Sequence, residues 1–95
     1  MAGESDRRLK SYFFVPMFYV YVLKSLKDYK RYIGFTENLQ RRLFEHNNGL
    51  VKSTKNRRPL ELIYLEEFIS KKDALLREKF LKSTGVRAYL FLLSY

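Results

Sequence analysis

The residues Phe18-Tyr19-Val20-Tyr21-Val22-Leu23 form an unbroken aromatic and aliphatic run. Such a run reads as a β-strand. Because neither its odd nor its even positions are polar, both faces should be covered. Lys24 to Lys30 is polar, with Ser25 and Asp28 as turn residues, and reads as a hairpin connection. Arg31-Tyr32-Ile33-Gly34-Phe35 is then the returning strand, its glycine marking a bulge or a close approach by substrate or a helix. Thr36-Glu37-Asn38 supplies helix-start residues, Leu39, Leu43 and His46 follow at helical spacing, and Asn47-Asn48-Gly49 ends the helix. Leu50 to Pro59 is a basic loop. Leu60 to Phe68 reads as a third strand in which Leu60, Leu62 and Tyr64 alternate with Glu61, Ile63 and Leu65. Ser70-Lys71-Lys72-Asp73 resembles a capping box with Asp where Glu is usual. It opens a helix carrying Ala74, Leu75, Glu78, Phe80 and Leu81 as far as Thr84-Gly85. Val86 to Ser94 predicts a short apolar terminal helix. The order β-β-α-β-α-α gives an α+β fold, a small three-stranded antiparallel sheet flanked by helices.

Length and composition narrow the class. With 95 residues the chain is one domain with a thin core. Its 46% hydrophobic and 17% aromatic content excludes a disordered polymer. The absence of Cys excludes a disulfide scaffold, a thiolate zinc site and a Cys nucleophile, and a single His excludes a His-cluster metal site. At the amino end Arg7, Arg8 and Lys10 precede an apolar run from Tyr12 to Leu23, a loose imitation of a secretory signal. Pro16 interrupts that run, no small-x-small cleavage site follows, and Lys24 closes it. It also falls short of the roughly 20 apolar residues that a membrane span needs. The expectation is a loosely ordered extension over 1–16, a domain over 17–95 with Met17 as a candidate start, no membrane, and a cytoplasmic location.

Charge adds a partner class. The chain carries 19 Lys+Arg against 10 Asp+Glu, a formal +9, which points to a polyanion, nucleic acid before anionic membrane. Between Val22 and Arg58 ten basic residues face only Asp28, Glu37 and Glu45, whereas between Pro59 and Phe80 the acids outnumber the bases. The basic surface therefore belongs to the first two-thirds of the fold. Lys52-Ser53-Thr54-Lys55-Asn56-Arg57-Arg58 offers phosphate donors without a base-reading code. Arg41, Lys52, Lys55, Arg57 and Arg58 are the candidate nucleic-acid contacts.

Several short pieces occur in order: Val20-Tyr21, then Tyr32-Ile33-Gly34, then Arg42 with His46 four residues later on one helix face, then Glu78. This set resembles the GIY-YIG nuclease domain across nearly all of Met17 to Lys82. It is most similar to the small single-domain members related to the nuclease component of the bacterial excinuclease. The entry strand, the Asn-Leu-Gln-Arg-Arg-Leu-Phe-Glu-His-Asn helix, the Arg-Arg-Pro-Leu-Glu-Leu-Ile-Tyr segment and the Asp-Ala-Leu-Leu-Arg-Glu-Lys run carry the likeness. The resemblance implies a metal-dependent endonuclease that hydrolyses DNA phosphodiester bonds in repair or recombination. It implies duplex or branched DNA as partner and a repair or targeting protein beside it.

The chemistry suits the residue types. A phosphodiester hydrolase needs an activated nucleophile, charge stabilisation at phosphorus and usually a metal. Glu78 lies between Leu75 and Leu81, beside the apolar stripe. A carboxylate there needs a partner, either a divalent cation or one of Lys71 and Lys82. One carboxylate fits a single Mg2+ (or Mn2+) better than a two-metal clamp. By resemblance Arg42 clamps the scissile phosphate in a bidentate way that Lys cannot reproduce. Tyr21 and Tyr32 are the family's two tyrosines, either of which could orient or deprotonate the attacking water, the first being the usual general base. A phenol base, with a free pKa near 10, needs a cation nearby. His46 is a proton shuttle, a phosphate ligand or a packing residue at the helix end. Two departures stand out. Tyr19 replaces the glycine of the first motif, and no Asn occurs beyond Asn56, where many members carry one after the glutamate helix. The alternative is therefore a basic nucleic-acid-binding module of the same fold without turnover. The apolar stretch Tyr89 to Leu93 reads as the final core helix or a docking face.

Overall fold

The computed structural model describes residues 16–83. Its elements are β1 (Phe18–Ser25), β2 (Arg31–Thr36), α1 (Leu39–Asn47), a 3-10 turn (Lys55–Arg57), β3 (Leu60–Phe68) and α2 (Lys71–Leu81). The three strands form one antiparallel sheet in the order β2-β1-β3. The expected N-terminal extension, apart from Pro16, and the expected terminal helix over 86–94 lie outside the described residues.

The fold follows from the two-sided apolar character of β1. Side chains alternate across a strand, so Val20 and Val22 face one way and Tyr21 and Leu23 the other. The first pair packs with Ile33 of β2 and with Ala74 and Leu81 of α2, edged by Phe18, Phe35, Ile63, Tyr64 and Phe68. The second pair packs with Leu60, Tyr32, Leu39 and Leu43, the last two on α1. The result is a three-layer arrangement, helix on sheet on helix, with the central strand wholly buried from Val20 to Leu23.

The strand continues two residues past the expected end. Lys24 pairs with Arg31, and Ser25 pairs with Leu60 on the other side. Ser25 is fully buried because its hydroxyl closes the hairpin, accepting from the backbone N–H of Lys27 and Asp28 at 3.1 Å. The same hydroxyl donates to the Arg57 carbonyl at 2.6 Å, which ties the basic loop to the end of β1.

Two local expectations need correction. The alternation along β3 breaks, because the register slips opposite Val22 and Leu23. One extra residue is accommodated there, a β-bulge, and Ile63 and Tyr64 consequently pack against the same cluster. On α2, Leu75 is 41% exposed while Ala74 and Leu81 are buried. The buried stripe is narrower than the sequence suggests, since Ala74 and Leu81 are seven residues apart on one line of the helix. The start of α2 agrees with the sequence: Ser70 accepts from Asp73 N–H at 3.2 Å.

Gly34 has a different cause from the one expected. It lies directly opposite Tyr21 in the ladder. A Cβ at residue 34 would overlap the Tyr21 ring and hydroxyl. The glycine admits a neighbouring side chain rather than substrate or a helix. Gly34→Ala is expected to lower stability by about 1–3 kcal/mol, read as a fall in the urea midpoint with an unchanged slope.

Candidate active site

The turn from β2 into α1 sets the site. Thr36 Oγ1 accepts from Asn38 N–H at 3.1 Å, and Asn38 Oδ1 accepts from Arg41 N–H at 3.1 Å, so the helix begins soon after the strand ends. Asn48 caps the other end and Gly49 takes a left-handed φ of 74°. Arg42 and His46, one turn apart, both face the sheet layer that holds Tyr21 and Tyr32.

These four side chains meet. Tyr21 Oη and His46 Nε2 are 2.9 Å apart, and His46 Nδ1 and Thr54 Oγ1 are 2.7 Å apart. The Tyr32 ring lies edge-on to His46 with centroids 4.9 Å apart, and 6.2 Å from the Tyr21 ring. The Arg42 guanidinium lies close enough to both phenols to act on them electrostatically, and it pairs with Glu45 at 3.2 Å. Tyr21, His46 and Thr54 have no exposed surface, whereas Tyr32 and Arg42 are half-buried. The tyrosine and arginine that can meet a solvent-borne group are therefore Tyr32 and Arg42, with Tyr21 and His46 behind them. The sequence marks Thr54 only as part of a basic loop. Nothing in its local surroundings singles it out, because its role depends on where that loop is anchored.

The other candidates are spread around this group. Arg41, Lys52, Lys55 and Arg58 are exposed. Lys55 and Arg58 line an open cavity of 520 Å³ with Lys27, Asn47, Asn56 and Pro59. Lys27 Nζ donates to the Asn56 carbonyl at 3.2 Å, and Arg58 Nε to the Lys55 carbonyl at 2.8 Å. Arg57 turns inward instead, its guanidinium 3.3 Å from Asp28. Glu78 lies on α2, the helix that covers the opposite face of the sheet, and pairs with Lys82 at 3.0 Å. Among the described residues no group of three His, Cys, Asp or Glu side chains could hold a metal ion, and no helix is long and apolar enough to cross a membrane.

The GIY-YIG catalytic domain model matches residues 17–88. The chain belongs to the GIY-YIG family. A UPF0213 protein of Clostridium perfringens is 43% identical over 79 residues, 82% of this chain and 84% of that one. One from Natronomonas pharaonis is 47% identical over 66 residues, 68% of this chain and 76% of that one. The solution structure of a UPF0213 protein from Bacillus halodurans superposes with a TM-score of 0.50 at 34% identity, covering 81% of this chain and 84% of that chain. The small α+β sheet-and-helix fold is thus shared with this branch of the GIY-YIG family.

The electrostatics of the GIY-YIG tyrosines are set by burial. Burial pushes the Tyr21 phenol up to about 12, outweighing the stabilising charge of Arg42. The cation that a phenol base would need is present, yet Tyr21 stays protonated at neutral pH. Burial likewise pulls His46 down from 6.5 to about 4, helped by the Arg42 charge and opposed by Glu45. Desolvation would lower Arg42, but its bonds to Tyr21, Glu45 and Tyr32 raise it, so it is a permanent cation.

The depressed His46 pKa has a consequence for stability. The unfolded chain binds a proton at 6.5 that the folded chain refuses until about pH 4. The stabilisation is complete above pH 6.5 and is lost as pH falls to about 4, at most roughly 3 kcal/mol. Urea titrations at pH 4.5 and 7.5 should show the wild type losing stability at the lower pH. His46→Gln should lose less, and an equal loss in both would contradict a neutral buried imidazole.

Proposed function

We propose that this GIY-YIG domain is a metal-dependent endonuclease that hydrolyses DNA phosphodiester bonds. The observation that carries the reading is the single cluster of Tyr21, Tyr32, Arg42 and His46, with its half-exposed members, Tyr32 and Arg42, facing outward. A phosphodiester seated on Arg42 receives two parallel N–H donors. These stabilise the charge that grows on the phosphoryl oxygens in the transition state. Tyr32 would orient the attacking water, and Tyr21 and His46 behind it would take up the proton that the water loses. Because burial holds the Tyr21 phenol protonated and the His46 imidazole unprotonated, a discrete transfer of the phenol proton to the imidazole is uphill. The proton therefore moves in concert with water attack, while charge develops at phosphorus.

One carboxylate does not by itself enclose a cation, but it suits Mg2+ or Mn2+, which binds through one or two carboxylates together with waters and substrate phosphates. Glu78 would hold such an ion once Lys82 releases it. The ion would neutralise phosphate charge and ease departure of the leaving oxygen. Lys55, Arg58 and Lys27 around the open cavity, with the exposed Arg41 and Lys52, would track the flanking backbone of duplex or branched DNA. Work in repair or recombination in the cytoplasm, beside a targeting protein, is consistent with a domain this small.

The second reading is a nucleic-acid-binding module without turnover. The pairing of Glu78 with Lys82 on the far helix favours it. Plasmid and four-way-junction DNA incubated with and without Mg2+ separate the two. The nuclease reading expects Mg2+-dependent strand cleavage that Glu78→Ala abolishes and that Tyr32→Phe and Arg42→Lys slow by about 100-fold or more. Salt-sensitive binding with no cleavage of either substrate selects the module.

The basic cavity makes a separate expectation. Lys55→Ala and Arg58→Ala should each weaken DNA binding evenly across sequences. Each should also reduce the slope of log affinity against log salt by about 1. A slope identical to wild type in both variants would remove this loop from the interface.

A further inference from the structure

The single histidine of the chain sits between two hydroxyls, Tyr21 Oη at 2.9 Å from Nε2 and Thr54 Oγ1 at 2.7 Å from Nδ1, and all three residues are fully buried. A neutral imidazole carries one N–H, so one ring nitrogen donates and the other accepts. Either hydroxyl could play either part, and the chain of hydrogen bonds therefore has a direction. The donor strengths set it. A phenol is a more acidic, stronger donor than an aliphatic alcohol, so the proton of the buried Tyr21 hydroxyl points at Nε2, 2.9 Å away. The remaining N–H is then at Nδ1, and Thr54 Oγ1 must accept it.

The geometry points to Thr54 as the positioning residue that holds His46 in its Nδ1–H tautomer, so that the tyrosines offer an acceptor rather than a donor to the attacking water. This deepens the nuclease reading and rests on it for the word catalysis, though the tautomer stands without it. With Nε2 accepting from Tyr21, the Tyr21 oxygen is free to accept from Tyr32, and the outermost phenol oxygen turns a lone pair outward. In the reverse tautomer every arrow flips, and Tyr32 presents a proton to a water that must lose one. In the working direction, as water attacks phosphorus its proton passes to the Tyr32 oxygen, the Tyr32 proton to the Tyr21 oxygen and the Tyr21 proton to His46 Nε2, while the phosphorus–oxygen bond to the leaving group breaks and the leaving oxygen takes a proton from solvent. Thr54 gains and loses nothing.

The loop holds Thr54 in place for this task. Its N–H donates to the Val51 carbonyl at 3.1 Å, and its own carbonyl accepts from Arg57 N–H at 2.9 Å. The Arg57 carbonyl is in turn bound by the buried Ser25 hydroxyl at 2.6 Å. The basic loop is thus pinned to the end of β1 on one side and reads the tautomer of the histidine on the other.

Because only one histidine is present, 15N NMR of the imidazole nitrogens reports the tautomer without assignment. In the wild type at pH 7 and without DNA, Nδ1 is expected in its protonated form and Nε2 in its unprotonated form. The reverse pattern overturns the proposal before any variant is made. Thr54→Val keeps the shape and removes the acceptor. It should shift the tautomer toward Nε2–H and lower kcat for Mg2+-dependent cleavage about tenfold or more, with KM for DNA unchanged. Thr54→Ser keeps the hydroxyl and should restore both readouts. Thr54→Val with the wild-type tautomer, or Thr54→Ser shifted as far as Thr54→Val, would show a packing role only and sink the idea. If the wild type cleaves nothing, a hydroxyl-dependent tautomer still supports the role of Thr54 while removing the nuclease reading.

Discussion

The hydrogen bond between Tyr21 and His46 joins the central strand to the first helix in the most buried layer of the molecule. A phenol hydroxyl and an imidazole taken out of water need partners, and here each supplies the other. The surroundings follow from that requirement. Gly34 must lack a side chain, because the Tyr21 ring lies over it. Thr54 must bring a hydroxyl to the far imidazole nitrogen. The loop carrying Thr54 must be tied down, which the Ser25 hydroxyl does through the Arg57 carbonyl. A sheet of three strands has little core to spare, and this one places its largest fully buried side chain, Tyr21, at the chemical centre.

Burial also decides how charge is distributed. The low-dielectric layer holds both Tyr21 and His46 neutral and leaves Arg42 as the charge among them. Five acids pair with neighbouring cations: Asp28 with Arg57, Glu45 with Arg42, Glu66 with Arg77, Glu78 with Lys82 and Glu37 with Lys71. Lys52, Lys55 and Arg58 have no such partner among the described residues. Lys55 and Arg58 put part of the positive excess on the open cavity that this loop lines with Lys27. That is where an anionic polymer would be drawn, at a rate that falls with ionic strength.

Much of this is legible in the chain. The unpolarised run of β1 foretells a strand covered on both faces, and Asn38 and Ser70 mark both helix starts, because caps and strand patterns are local. The bulge in β3 is not legible. It depends on pairing with β1, and no composition signal sets where a register slips. The Arg57 side chain, one of a run of cations in the sequence, is half-buried against Asp28 across the hairpin. The contact spans distant positions that no local pattern joins. Thr54 escapes notice for the same reason. Its importance lies in a through-space hydrogen bond to a helix residue eight positions earlier, and a threonine in a basic stretch reads only as loop.

Glu78 shows how a helix can serve the core and the surface at once. It is four residues after buried Ala74 and three before buried Leu81, so it lies on the sheet-facing side of α2, with its side chain 20% exposed. Its partner Lys82, one turn further on, is 50% exposed and lies outward of it. An i,i+4 pair of this kind contributes only a few tenths of a kcal/mol. A carboxylate in this position is neutralised at rest by a weakly held lysine. On the proposed nuclease reading, a divalent cation arriving with a phosphate would compete for it with two positive charges rather than one, and displacing Lys82 would cost little. The tyrosine layer and the carboxylate are separated by the sheet, so a ligand touching both must pass around its edge. β2, which carries Tyr32, is the outer strand on that side. Among the cluster's four side chains, Tyr32 is the one that stands on an edge strand of the sheet.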